Sequence, residues 1–141
     1  MDVLSFHLSY INWWAVILAT LASFVVGSVW YAPPVFGKIW MKANGIKPKD
    51  AKNVDMVQTF TITTLLNFVM VVGLATLMCA LALKTLRQGA MFGALVALVF
   101  VVTTRGVHML FERKAGVTLF VINAGYDIVF LTLAGAILGA W

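Results

Sequence analysis

Residues 11–42 read INWWAVILATLASFVVGSVWYAPPVFGKIWMK, and the fold turns on how that stretch is parsed. No charged side chain occurs between Ile11 and Tyr31. A run of this kind satisfies the roughly 20 apolar residues that a helix needs to cross a bilayer's hydrocarbon core. Asn12 is placed to cap the helix by accepting from unpaired backbone N–H groups of the first turn. Trp13 and Trp14 at one end, and Trp30 and Tyr31 at the other, read as interfacial anchors, with rings in the apolar zone and polar tips toward headgroups. Pro33 and Pro34 then stop the helix, because Pro34 disfavours the α region for Pro33 and neither residue donates a backbone hydrogen bond. Beyond them Val35, Phe36, Ile39, Trp40 and Ala43 fall on one face of a helical projection, and Lys38 and Lys42 fall on the other. This predicts a short interfacial helix over residues 35–43, with Trp40 as a further anchor, ended by Asn44-Gly45. A plain turn carrying two anchoring aromatics is the simpler alternative.

The rest of the chain repeats the first reading. Of its 141 residues 62% are apolar and only 11% charged, and the mean hydropathy is +1.00. That leaves too little polar surface for a soluble domain. Three more spans are expected, at about 56–83, 86–108 and 117–140, after the first at 11–31. The fold class is thus an all-α membrane protein, a four-helix transmembrane bundle forming a single domain over residues 1–141. The first span lacks the basic n-region of a signal peptide and its apolar run is too long for one, so it is read as an uncleaved helix. Helix starts agree with the spacing: Asp55-x-x-Gln58 and Thr85-x-x-Gln88 each offer a cap oxygen and a reciprocal amide. Pro48 is an alternative first residue of a longer second helix. Cys79 is the single cysteine, so neither an intrachain disulfide nor a paired-cysteine motif exists.

The formal net charge of +5 sits in loops beside spans, where lysine and arginine set topology and meet anionic headgroups. Nucleic acid is therefore not the expected partner. The first loop carries Lys38, Lys42, Lys47, Lys49 and Lys52 and the third Arg113 and Lys114, whereas the second carries Lys84 and Arg87 and the N-terminal segment Asp2. Retention of positive loops in the cytoplasm puts both termini outside. Small residues recur every fourth position: Ala15, Ala19, Ser23 and Gly27 in the first span, Gly89, Gly93 and Ala97 in the third, Gly135 and Gly139 in the fourth. Such stripes mark close helix contacts, within one chain or between copies of it. Three of them on four short helices favour a homo-oligomer.

The polar side chains left inside the spans define the candidate site. At about 1.5 Å per residue from the cytoplasmic ends, Ser23, Thr63, Thr64, Asn67, Thr104, Arg105, Asn123 and Asp127 share one slab in the cytoplasmic half. Arg105 and Asp127 are its ionisable members, and His108 lies one turn nearer the surface. A charge facing lipid there would cost several kcal/mol, about 2.5–3.5 on insertion scales. The expectation is an Arg105–Asp127 pair across the third and fourth helices, completed by Asn123 and Asn67. Snorkelling of Arg105 to the interface is the alternative. The cluster Arg105, Asp127, Asn123, Asn67, Thr64, Thr104 and His108 is read either as a self-satisfied layer fixing helix register or as a pocket for an ion, proton or small solute. No second histidine or cysteine stands at ligand spacing, so neither a metal nor a cofactor is expected. Phosphate loops, nucleophile elbows and hydrolytic triads are absent, and no enzymatic activity is expected.

Ile11-Asn12-Trp13, Gly27-x-x-Trp30-Tyr31-x-Pro33 and Phe36-Gly37-Lys38-x-Trp40-Met41-Lys42 resemble the N-terminal pattern of DUF1761, a family of small bacterial membrane proteins of unknown function. Leu110-Phe111-Glu112, Ile122-Asn123-Ala124-Gly125-Tyr126 and Gly135-Ala136-Ile137-Leu138-Gly139-Ala140-Trp141 resemble its C-terminal half. The resemblance implies four spans in a bacterial inner membrane and no particular activity. A histidine often follows the family's Gly-Tyr, where this chain has Asp127, so the resemblance does not imply an acid at that position. Two function classes remain: a non-enzymatic, oligomeric membrane component, and a small-solute or ion transporter or channel.

Overall fold

The computed structural model describes residues 9–47, 55–111 and 116–141. Among them every regular element is helical. Helix α1 (Trp13–Trp30) is followed by a π-helical turn, Pro33–Gly37, and by α2 (Lys38–Ala43). Helix α3 (Met56–Ala80) comes next. Helix α4 (Leu86–Val96), a π-helical segment (Ala97–Val102) and α5 (Thr103–Phe111) run on as a single rod, and α6 (Val117–Gly139) follows. Four stretches are long and apolar enough to cross a membrane: Trp13–Trp30, Val57–Ala80, Leu86–Phe111 and Val117–Gly139. They match the expected spans, the third running on past His108 to Phe111. Asp2, Pro48, Lys49, Lys52, Glu112, Arg113 and Lys114, on which parts of the topology argument rest, lie outside the described residues.

Capping explains where the helices begin. Asn12 Oδ1 accepts from the N–H groups of Trp14 and Ala15, at 3.1 and 3.3 Å. Asp55 accepts from Gln58 N–H at 3.0 Å and Thr85 Oγ1 from Gln88 N–H at 3.2 Å. Each such cap stabilises its helix by about 1 kcal/mol. The Gln88 amide returns one residue earlier than a capping box requires, accepting from Lys84 N–H rather than from Thr85. The proline pair also acts differently from expectation. The residue driven out of the α region is Ala32, at ψ 144°, and Pro33 and Pro34 open the next helix, where their missing donors cost nothing. The wide turn closes when Gly37 N–H donates to Ala32 O at 3.0 Å. A methyl group on Gly37 would overlap the Tyr31 carbonyl, so glycine is required there.

Helices α2 and α3 end in the same motif with different residues. Gly45 (φ +67°) follows α2, with Ile46 N–H donating to Met41 O at 3.0 Å. Ala82 (φ +54°) follows α3, with Leu83 N–H donating to Met78 O at 3.0 Å. The left-handed position is free of steric cost for glycine but not for alanine.

Helix α6 is the most buried of the four spans and the rod the least. The core gathers Val16 and Ala19 of α1, Val71, Leu74 and Met78 of α3, Ala97 of the rod and Phe130, Leu131 and Ala134 of α6. Along the α4–α6 seam the backbones touch. A methyl group on Gly89 would overlap Gly135 O, one on Gly93 would overlap Leu131 O, and one on Gly139 would overlap Thr85 O. The stripes of the third and fourth spans are thus consumed inside one chain, and Ala15, Ala19 and Ser23 of the first are likewise buried. They do not support an oligomer, contrary to the sequence expectation, because helix contact within a chain and between chains leaves the same mark. The outer faces carry exposed Leu21, Val25, Leu65, Leu66, Val69 and Phe100, the apolar exterior that a helical bundle turns toward lipid.

Candidate functional site

The polar side chains expected to share one slab form three separate contacts rather than one network. Between α1 and α3, Asn67 Nδ2 donates to Ser23 Oγ at 2.9 Å, and Ser23 Oγ donates to Thr20 O at 2.6 Å. On α6, Asn123 Oδ1 accepts from Tyr31 Oη at 2.9 Å and Trp40 Nε1 at 3.2 Å. Between α5 and α6, Arg105 Nε donates to Asp127 Oδ2 and Arg105 Nη2 to Oδ1, the latter at 3.3 Å. Asn67 and Asn123 therefore do not complete the ion pair as expected. Each points around its helix toward a different neighbour. Thr64 and Thr104 also stay outside it, since their hydroxyls donate to Phe60 O and Phe100 O of their own helices, at 2.7 and 2.6 Å. His108 is exposed one turn farther along α5. Among the described residues no buried side-chain N or O atom lacks a partner, and no group of three or more His, Cys, Asp or Glu converges on one point.

The ion pair depends on a local change of helix pitch. The four-residue register of the α4–α6 seam, continued by one step, sets Ala97 across from Asp127. In an uninterrupted α-helix Arg105 would lie roughly 80° around the axis from Ala97. The π-helical segment Ala97–Val102 holds about one more residue per turn and cancels that drift, so Arg105 returns to the face toward α6. Carbonyls loosened by the wider turns are taken up by the threonines that follow: Thr103 Oγ1 donates to Val99 O and to Phe100 O, the latter at 3.2 Å. At about 1.5 Å per residue, Arg105 stands about 9 Å from Phe111 and Asp127 about 15 Å from Val117. The guanidinium therefore reaches toward the bundle centre rather than snorkelling outward. Its side chain is 43% exposed, against 7% for Asp127. The pair is a buried acid held by a base at the bundle's surface.

Trp30, Tyr31 and Trp40 depart from the anchor reading. All three are half-buried, and their polar tips are spent on α6: Trp30 Nε1 donates to Ile122 O at 3.0 Å, and the other two meet Asn123. An indole N–H is satisfied equally by a headgroup or a carbonyl, so sequence alone does not separate the two roles. Trp13 and Trp14 are exposed. In the π turn and α2, Phe36, Trp40 and Ala43 are half-buried, while Val35 and Ile39 are exposed like Lys38 and Lys42.

Sequence reasoning missed Tyr126. Its hydroxyl donates to Ser23 O at 3.2 Å, its ring lies 5.6 Å from that of Tyr31, and a methyl group on Gly27 would lie 3.6 Å from that ring. Its place beside Asp127 inside a span was the available signal. A methyl group on Gly125 would come within 2.8 Å of the Trp30 ring. The first motif, Gly27 to Trp40, is thereby docked on the second, Ile122 to Tyr126. The two stretches of sequence are the two sides of one contact.

That contact is where the chain's relationships can be read. Comparison with curated proteins and with solved structures found no match. The family model described as "Protein of unknown function (DUF1761)" matches residues 14–139, a range that includes both sides of the contact. The chain belongs to the DUF1761 family.

Proposed function

We propose that this protein is a non-enzymatic component of a bacterial inner membrane that assembles with copies of itself, its polar slab serving to fix helix register. Both termini lie outside, the Lys38–Lys52 loop faces the cytoplasm, and α2 rests in the interface. The carrying observation is that Arg105, Asp127, Asn123, Asn67, Thr64 and Thr104 each hydrogen-bond within the chain. Groups already satisfied in this way hold helices together and do not wait for a ligand.

Self-association draws support from the rod. Thr103, Thr104 and Arg105 are exposed on a membrane-spanning helix, and a guanidinium open to hydrocarbon is costly unless a neighbour covers it. A second copy against this face would do so. Thr104→Cys in a Cys79→Ala background should form disulfide-linked dimers in membranes under mild oxidation. No crosslink, together with a monomer alone by native mass spectrometry from lipid nanodiscs, would sink the proposal.

The second reading, a small-solute or ion transporter, draws on the same exposure, because Arg105 links the buried Asp127 carboxylate to the bundle's surface. Ion or solute flux in proteoliposomes, abolished by Asp127→Asn while the folded protein persists, would favour it.

A further inference from the structure

A cavity of about 580 Å³ opens at the end of the bundle remote from the ion pair, where the start of α1 and the ends of α3 and α6 diverge. Its volume falls within the roughly 300–1,000 Å³ of ordinary ligand sites. Buried Ala15, Ala75 and Met78 form part of the wall with Leu138, and the two alanines leave space that larger side chains would fill. Lys84 is the one cationic side chain of the lining, and no Asp or Glu is among the lining residues. Arg105–Asp127 is the ion pair formed among the described residues, and the Lys84 ammonium takes no part in it. A pocket of mixed polar and apolar lining, with Lys84 as its one cationic side chain and no acidic side chain in the lining, is complementary to an anionic head on an apolar tail.

We propose that this cavity is a binding site for a single-chain anionic amphiphile, of the fatty-acid or lysophospholipid class, with its head on Lys84 and its tail between α1, α3 and α6. Because bilayer hydrocarbon is as apolar as the cavity wall, moving the tail from one to the other changes little. Selection therefore rests on the head group. Lys84 discriminates charged from neutral amphiphiles, and the cavity shape admits one chain. The site lies apart from the polar slab and is independent of the role proposed for it.

Cys79 provides the measurement, since the chain's single cysteine lines this cavity. The rate of maleimide labelling of Cys79 is followed in the delipidated full chain in nonionic detergent. Oleate should slow it about fivefold, the equivalent of about 1 kcal/mol of occupancy, whereas oleyl alcohol and lysophosphatidylcholine should change it less than about twofold. Slowing by lysophosphatidylglycerol as well as oleate extends the site to phosphate heads, and slowing by either one alone assigns the head within the class. Lys84→Gln should erase the preference for the charged amphiphile. The proposal is overturned if neither anionic amphiphile slows labelling, if oleyl alcohol protects as well as oleate, or if Lys84→Gln keeps the preference. It is also overturned if Cys79 is unreactive in the delipidated protein, because the cavity is then already filled.

Discussion

Helix α6 meets α4 and α3, two of its neighbours, in opposite ways. Against α4 the contact is backbone to backbone, with Gly89, Gly93, Gly135 and Gly139 each set where a methyl group would overlap a carbonyl. Toward α3 the helices meet through side chains such as Phe130, Leu74 and Met78, and near the ends of α3 and α6 they part around a cavity. Glycine content alone does not predict this difference. Gly73 lies in the middle of α3 with no atom within 4 Å of where its methyl would go. In a bilayer, association gains little from apolar burial as such, so close approach and its many small van der Waals contacts decide which pair of helices is held tightly.

The largest expected effect tests that difference directly. Gly93→Leu forces the seam apart and should destabilise the bundle by about 3 kcal/mol or more, enough to lose the folded species in thermal unfolding. A stable, unchanged Gly93→Leu protein would mean that backbone contact does not hold α4 to α6.

Next comes the ion pair beyond the end of the seam, which asks whether α5 is held by charge where the glycines stop. Asp127→Asn and Arg105→Gln should each cost about 1–3 kcal/mol, less than a fully buried pair because Arg105 is partly exposed. The double variant should recover part of the loss, since no unpaired charge remains. Additive losses would show that the two groups do not couple.

The smallest effects should be gains, and they are confined to α3. Gly73→Ala adds a better helix former in open space and should stabilise by about 0.5–1 kcal/mol. Ala82→Gly relieves the left-handed position and should add a similar amount. Raised melting temperatures for both would set α3 apart from the seam, where even Gly93→Ala should lower it.

Much of this architecture was legible in the sequence because it follows from length, polarity and caps. Four long apolar runs fixed the spans, Asn12, Asp55 and Thr85 fixed helix starts, and the cost of isolated charges paired Arg105 with Asp127. What escaped was angular. Counting along the axis says nothing of the direction of the Asn67 and Asn123 side chains, and their partners proved to be Ser23, Tyr31 and Trp40. The inward docking of Trp30 and Trp40 escaped because an interfacial indole and a docked one have the same composition signature. The π-helical segment is spelled Ala-Leu-Val-Phe-Val-Val, which no glycine or proline marks as irregular.

That segment makes the third span unequal in its tolerance of length change. Insertions and deletions are usually absorbed by loops, yet here a single-residue deletion between Ala97 and Val102 has somewhere to go, since losing one residue converts wide turns into ordinary ones. From Ala97 to Arg105 the shortened helix would turn through seven ordinary steps, within roughly 20° of two full turns, so the glycine half would stay seated and Arg105 would keep facing Asp127. A deletion elsewhere in the rod would instead swing everything beyond it by roughly 100°. Between related chains, one residue fewer at this point would leave both the glycine seam and the ion pair in place.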